Sequence, residues 1–168
     1  CLEGGDGFEG VEGEFVRDVF FRGTCQPNPE PCDNDSIFLF CAQADTLTVS
    51  EPGGRLPFNT TCNFTSGAFR HCRGDFRMIC GGTYLIFVKI LVPANETLTT
   101  RLSLHLNGVE VPGTAINIAK TTTGSSASYE LNAVISASED DVLSLHSSNA
   151  FDLTGDDVLA SITILKVD

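Results

Sequence analysis

The feature that most constrains this chain is a hairpin signal near its middle, in the stretch LSLHLNGVEVPGT (102–114). Before Asn107–Gly108, leucines alternate with polar residues, which is the period of a strand buried on one face. Asn-Gly between alternating runs is the strongest short-range hairpin signal. A return strand then starts at Val109, and Pro112–Gly113 predicts its end. The stretch therefore predicts a pair of antiparallel strands.

The chain from Ser36 onward predicts further short strands of the same kind. The predicted strands are 36–41, 45–50, 75–80, 83–92, 100–107, 109–111, 114–120, 127–137, 140–147 and 158–167. The spacers carry Gly, Pro, Asn, Asp and Ser, and no segment after residue 36 predicts a helix. Many short strands separated by turn signals are typical of an all-β sandwich or barrel.

Two of these strands carry apolar residues on both faces. Along the first of them, with Lys89 as the exception, one apolar set alternates with another: Tyr84, Ile86, Val88 and Ile90 with Leu85, Phe87 and Leu91. The final strand is similar through Ile162, Ile164, Leu165 and Val167. A strand that is apolar on both faces is covered on both. We expect the sandwich core on one face and a subunit interface on the other, which predicts an oligomer.

Composition limits the partners. The net charge of the 168 residues is −12, and only ten of them are Lys or Arg. Because phosphate binding needs clustered cations, we predict no nucleic-acid partner. No apolar run approaches the ~20 residues of a membrane helix, so we also predict no membrane span. The length fits one domain with a sizeable core.

All seven cysteines lie in the first 80 residues, and none forms a C-x-x-C pair. Metal sites favour such pairs, so we expect no metal and no cofactor. Disulfides indicate an oxidising compartment, with free buried thiols as the alternative. The odd cysteine favours a bond between chains, for which Cys1 is the candidate; a lipid on Cys1 is the other reading. The remaining disulfide candidates are Cys25, Cys32, Cys41, Cys62, Cys72 and Cys80.

The N-terminal region divides into two parts before a domain at 36–168. In residues 1–13 a glycine falls at every third position, which is the collagen period; a flexible acidic arm is the alternative. Residues 14–35 combine an apolar arm with a Cys/Pro-rich connector. We expect the arm to pack on its own domain or on a neighbouring subunit's sheet edge. Its apolar residues are Phe15, Val16, Val19, Phe20 and Phe21.

No catalytic constellation stands out, so we predict that the protein is not an enzyme. His105 and His146 occupy alternating positions in strands, which indicates side chains that face outward. His71 and Cys72 are adjacent in sequence, but a nucleophile and its base must meet in space. Cys72 is better explained by a disulfide.

Three further motifs fit surface loops. The pairs Asp140–Asp141 and Asp156–Asp157 lack a regular calcium-loop spacing and are better explained as solvated turns. Arg73–Gly74–Asp75 matches the integrin tripeptide, but Gly74 more simply allows a turn. N-x-S/T sequons mark three candidate glycosylation sites: Asn59, Asn63 and Asn95.

At LNGVEVPGT (106–114) the sequence resembles the globular head of the Bacillus collagen-like exosporium glycoproteins, the BclA family. LPFNT (56–60), FRMICGGTYLIFVKILV (76–92) and ASITILKV (160–167) follow in that family's order, so the resemblance covers residues 36–168. It implies a jelly-roll β-sandwich of the tumour-necrosis-factor-like type, which trimerises at the end of a collagen-like stalk and has no catalytic residues. The cysteines and the arm depart from the family pattern.

Two functions follow from the residues and the resemblance together. The first is a non-enzymatic extracellular structural protein, a self-assembling trimeric subunit of a spore or cell-surface appendage. Cross-links through its N-terminal cysteines would let it form fibres. The alternative is a trimeric receptor- or glycan-binding head domain. The expected partners are further copies of the chain, with other surface-layer proteins or glycans.

Overall fold

The computed structural model describes residues 38–64 and 69–167. Twelve strands lie within these residues. They are β1 (Phe38–Ala44), β2 (Thr46–Val49), β3 (Thr60–Phe64), β4 (Phe69–Cys72), β5 (Asp75–Met78), β6 (Gly82–Val92), β7 (Leu98–Leu106), β8 (Val109–Lys120), β9 (Ala127–Ala137), β10 (Val142–Ser147), β11 (Phe151–Thr154) and β12 (Ala160–Lys166).

The strands form two five-stranded antiparallel sheets and one small pair. Sheet I has the order β3-β1-β12-β6-β9, and sheet II has the order β4-β5-β10-β7-β8. The chain passes repeatedly from one sheet to the other, because β6, β9 and β12 belong to sheet I and β5, β7–β8 and β10 to sheet II. β2 pairs separately with β11. The predicted all-β jelly-roll sandwich is confirmed.

The core lies between the sheets and follows the alternation of the sequence. Along β6 the inner side chains Tyr84, Ile86, Val88 and Ile90 are all buried, and each alternates with an outward residue. Sequence alternation thus places one full face of the longest central strand in the core. Aromatic rings close the ends of the sandwich through edge contacts, and the ring centroids of Phe69 and Tyr84 lie 5.5 Å apart.

Three strands were not predicted: β3, β4 and β11. Each has only four or five residues. TTCNF and FRHC lack a clean apolar alternation, and FDLT alternates over just four residues. They form because neighbouring strands pair with them: β3 with β1, β4 with β5 and β11 with β2. Tertiary pairing here overrides a weak local preference.

The predicted end of a strand at Pro112–Gly113 is wrong, since β8 runs through both residues. Two causes allow it. β8 is an edge strand of sheet II, so the missing Pro112 N–H breaks no ladder between two neighbours. The register also shifts at this point, and Gly113 adopts a φ of 79° that suits a bulge. The hydroxyl of Thr114 donates to the Val111 carbonyl oxygen at 2.7 Å and closes the bulge.

The predictions for residues 1–13 and 14–35 lie outside the described residues, and so do the arm residues Phe15, Val16, Val19, Phe20 and Phe21. Within the described part of the chain, no helix is long and apolar enough to span a membrane.

Candidate functional site

The outer face of sheet I carries a continuous row of apolar side chains. Leu39 of β1 pairs with Leu165 of β12, Leu165 with Leu85 of β6, and Leu85 with Val134 of β9. All four alternate with core residues and therefore point away from the core. Val134 is 67% exposed, and Phe87, one position along the outer face of β6, is 45% exposed. The row crosses four of the five strands of the sheet.

The same face becomes polar toward the other end of β6. Lys89 pairs with Glu130 on one side and with Ser161 on the other. Between this polar row and Phe87 lies a shallow depression of about 280 Å³, which Asn132 and Thr163 also line. The predicted two-faced character of β6 is therefore present, with one apolar face in the core and the other at the surface of the single chain. A contiguous exposed apolar patch marks an interaction site.

The outer face of sheet II is organised by a repeated tetrapeptide. LSLH occurs at 102–105 in β7 and again at 143–146 in β10, and these strands pair antiparallel. The serine of each copy stands opposite the histidine of the other. The imidazole rings of His105 and His146 are stacked, with centroids 4.1 Å apart and an interplanar angle of 21°. The outward placement predicted for both histidines is correct, but their meeting was not foreseen.

The hydrogen bonds of His105 define its tautomer. Its Nδ1 lies 3.2 Å from the Gly108 carbonyl oxygen, and its Nε2 lies 3.1 Å from the Ser103 hydroxyl. A carbonyl oxygen only accepts, so Nδ1–H donates and Nε2 accepts from the serine in the neutral ring. Ser103 is only 4% exposed and lies beneath the imidazoles, so it is poorly placed to attack a substrate.

His146 repeats this arrangement on the neighbouring strand. Its Nδ1 donates to the Gly53 carbonyl oxygen at 2.8 Å, and its Nε2 accepts from the Ser144 hydroxyl at 3.0 Å. Burial lowers the pKa of His146, and the neighbouring His105 and Arg55 cations act in the same direction. The hydrogen bond to Gly53 opposes this shift.

An ion pair flanks the histidines on each side. The Arg101 guanidinium holds Glu110 through two hydrogen bonds, one of them 2.8 Å long, and lowers the pKa of that carboxyl. On the other side, Arg55 pairs with Asp75. Glu110 lies in register with His105, so the sheet holds carboxylate, imidazole and hydroxyl groups side by side. Sequence analysis did not identify these flanking residues, and the repeated LSLH marked only the two strands that carry the histidines.

The integrin-like tripeptide forms the turn between β4 and β5. Arg73 and Gly74 have φ angles of 51° and 92°, which are left-handed. A side chain at Gly74 would place its Cβ 2.2 Å from the Leu56 carbonyl oxygen, so only glycine fits there. Asp75 opens β5 and pairs with Arg55. The turn interpretation of the tripeptide therefore has a physical basis.

Three of the candidate cysteines are disulfide-bonded: Cys41, Cys72 and Cys80. Cys41 stands on the outer face of β1, since its neighbours Ala42 and Ala44 are in the core. The predicted interchain link through Cys1 and the candidates Cys25 and Cys32 lie outside the described residues. Cys62 lies in β3, and its side chain is not described.

Two of the three sequon asparagines lie at the surface. Asn59 and Asn95 are exposed in loops, and Asn63 lies in β3. Glycosylation of the three stays a prediction.

The acidic pair at the start of β10 braces a turn. Asp141 accepts from the Asn107 side-chain amide at 2.7 Å, and this bond, with one from the Ser138 amide, lowers the pKa of Asp141. Asp140 pairs with Arg77 at 3.2 Å. Among the described residues, no cluster of three or more His, Cys, Asp or Glu side chains is arranged to hold a metal ion. Hydrogen bonding across the turn explains these carboxylates.

Comparison with known proteins identifies the fold but does not identify a family. No protein-family model and no curated protein matches the chain. Among solved structures, murine APRIL at pH 5.0 and at pH 8.0 superpose with a TM-score of 0.57 at 12% and 10% identity. A third structure, at pH 8.5, has a TM-score of 0.54 at 11% identity. Each covers 79% of this chain and 100% of the APRIL chain. The fold is thus a tumour-necrosis-factor-like jelly roll.

Proposed function

We propose that this chain is a non-enzymatic extracellular head domain that assembles into a homotrimer through the outer face of sheet I. The observation that carries the proposal is the apolar row from Leu39 to Val134, which runs across four strands at the surface of a strongly acidic chain. The likeness to tumour-necrosis-factor-like folds supports a head domain.

The energetics favour covering this row. Removing apolar surface from water stabilises an assembly by about 25 cal/mol per Å². Val134 and Phe87 are large side chains with about half or more of their surface exposed, and the leucines beside them are half-buried. Each therefore gains from a second surface laid over it. A chain with a net charge of −12 repels its copies, so the contact has to be apolar enough to outweigh that repulsion.

The polar end of the face would set the orientation of the contact. Lys89 and Glu130 stand side by side at its edge, together with Ser161. Charged groups at the rim of an interface fix register and suppress wrong arrangements more than they add affinity. The face thus combines an apolar centre with a polar rim, which is the anatomy of a protein interface.

Sedimentation velocity on two matched variants tests the proposal. Val134 on sheet I and Val109 on sheet II are both strand valines, 67% and 70% exposed. Val134→Lys places a charge inside the proposed interface and should convert trimers into monomers. Val109→Lys makes the same chemical change outside the interface and should leave the trimers intact. Trimers in both variants, or monomers in both, would contradict the assignment of this face.

The structural role predicted from the sequence extends this proposal beyond the head. In that role the N-terminal cysteines, with Cys1 first, join trimers into fibres of a spore or cell-surface appendage. Its support is the sequence resemblance and the Gly-x-y run at 1–13. Cys1→Ser, or deletion of residues 1–35, should leave the trimers intact and abolish fibres in electron micrographs. Fibres that persist in both variants would rule out this route.

A receptor- or glycan-binding head is the second candidate, and the fold likeness favours it. The two roles differ in what they need from the chain. A binding head keeps its ligand after deletion of residues 1–35, whereas a fibre subunit loses its assembly. A glycan array probed with the full chain and with the deletion variant separates them, because array binding retained by both chains supports the binding role.

A further inference from the structure

We propose that His105 and His146 form a coupled two-proton site in which protonation of both rings separates the stack and removes the hydrogen bond that ties His146 to the turn at 51–54. The site lies on sheet II and does not depend on the interface proposed for sheet I. Its basis is the stacking of two imidazoles that are each tied by hydrogen bonds to a different turn.

The first step of the argument is the neutral state. In both rings Nδ1–H donates to a turn carbonyl and Nε2 accepts from a serine hydroxyl. Protonation at Nε2 keeps the hydrogen bond from Nδ1–H to the carbonyl oxygen. It reverses the hydrogen bond with the serine, so that Nε2–H donates to Oγ. Ser103 can then donate to Glu110, whose carboxylate it already contacts. One proton is therefore accommodated without loss of a hydrogen bond.

The second step is the charge balance of the face. The charged side chains that act on the pair include Arg55, Asp75 and Glu110. They belong to two ion pairs, Arg55–Asp75 and Arg101–Glu110. Each of these two carboxylates therefore already has a guanidinium partner, and each proton that binds an imidazole adds a positive charge beside them.

Each ring has its own charged neighbours. Glu110 stands in register with His105, and attraction between the two contributes to the lowered pKa of Glu110. His146 stands near Arg55, which disfavours its cation, and near Asp75, which favours it.

The third step is the consequence of the second proton. Two cations whose ring centroids are 4.1 Å apart repel each other strongly at a partly buried site. The repulsion is relieved when one ring leaves the stack. His146 is the ring that is tied to the turn at 51–54, and its departure removes the bond to the Gly53 carbonyl oxygen. The turn then keeps only backbone bonds, such as Gly53 N–H to the Ser147 carbonyl oxygen at 2.8 Å.

An NMR titration tests this proposal on the full chain. The protein has three histidines, so two-bond ¹H–¹⁵N correlations resolve the tautomer and the titration of each imidazole. We expect the Nδ1–H tautomer in both rings when they are neutral, and two coupled titration steps for the pair. Hydrogen-exchange protection of the Gly53 amide should fall several-fold as His146 titrates.

The variant His105→Asn keeps a nitrogen donor at the δ position and removes the charge. The His146 titration should then move to higher pH, while that of the core residue His71 stays in place. If the variant does not fold, His105→Gln replaces it, and the same shift of the His146 titration is expected. A His146 titration that is unchanged by the loss of His105, or an Nε2–H tautomer in either neutral ring, would overturn the proposal.

Discussion

The two outer faces of the sandwich differ in how far one chain satisfies them. Sheet I presents an apolar row that ends at Val134, 67% exposed, with Phe87 beside it. Sheet II presents two Ser-x-His segments whose imidazoles stack on each other and bond to turns, between two ion pairs. The first face leaves apolar side chains at the surface of the single chain, whereas the polar groups of the second are bonded within the chain. Substitutions on sheet I should therefore change the mass of the assembly, and substitutions on sheet II should change the free energy of unfolding.

The largest effect on folding is expected at the turn beneath the polar face. Gly74→Ala would drive a Cβ into the Leu56 carbonyl oxygen at a φ of 92°, and should destabilise the chain by about 3 kcal/mol or more. Gly53→Ala is the matched control, because its φ is 79° and open space surrounds it. It should cost about 1 kcal/mol, from backbone strain alone. Urea unfolding measures both.

Equal losses in the two variants would contradict the contact at Gly74. Neither glycine lies on sheet I, so both folded variants should keep the mass of the unmodified protein. A changed mass in either variant would contradict the separate roles of the two faces.

Lowering the pH is expected to have an intermediate effect on the free energy of unfolding. The folded-state pKa values of His71 and His146 lie below the ordinary value of 6.5, mainly because both rings are buried. Below pH 6.5 the unfolded chain therefore binds more protons than the folded one, and stability falls as the pH drops toward the folded-state values. Urea midpoints at pH 7.5 and 5.5 should show this loss. His146→Asn should reduce it, while Val109→Lys, which removes no histidine, should not.

The carboxyls act at lower pH and change stability in the same direction. The folded-state pKa values of Glu110 and Asp141 are lowered by hydrogen bonds, so their contribution is present above their ordinary pKa values and lost as pH falls through the folded ones. A stability that is flat between pH 7.5 and 5.5 and falls only in stronger acid would mean that the carboxyls act and the histidines do not.

The smallest effect is expected at the rim of sheet II. Arg101→Gln removes an exposed ion pair, which contributes little to stability in water. The change should instead appear in the titration of Glu110, whose pKa should rise toward its ordinary value when the guanidinium is lost. A carbon-detected NMR titration of the carboxyl measures it. An unchanged Glu110 titration would show that Arg101 does not hold this carboxyl in solution.

Much of the fold could be predicted because periodicity records burial. The alternation in β6, the hairpin at Asn107–Gly108 and the last strand all read directly as faces of a sheet. The short strands β3, β4 and β11 could not be predicted, because four or five residues carry too little periodicity. β4 is held by the adjoining β5, and β3 and β11 are held by strands farther away along the chain. The bulge at Pro112–Gly113 depended on β8 being an edge strand, which only the topology reveals.

The candidate sites divide along the same line. The apolar face of sheet I could be predicted, because the residues of a strand that is apolar on both sides indicate by themselves that both faces are covered. The stacking of His105 and His146 was not, since it requires the register of β7 against β10. The repeated LSLH shows that two equal segments exist, but only pairing shows that they meet.

The most direct test of the central claim is the mass of the unmodified oxidised chain in solution. Light scattering at micromolar concentration should give three times the chain mass of 18.0 kDa, because the apolar face of sheet I would then be covered by neighbouring copies. A mass of one chain under these conditions would contradict the account, since the row from Leu39 to Val134 would stand in water with nothing over it.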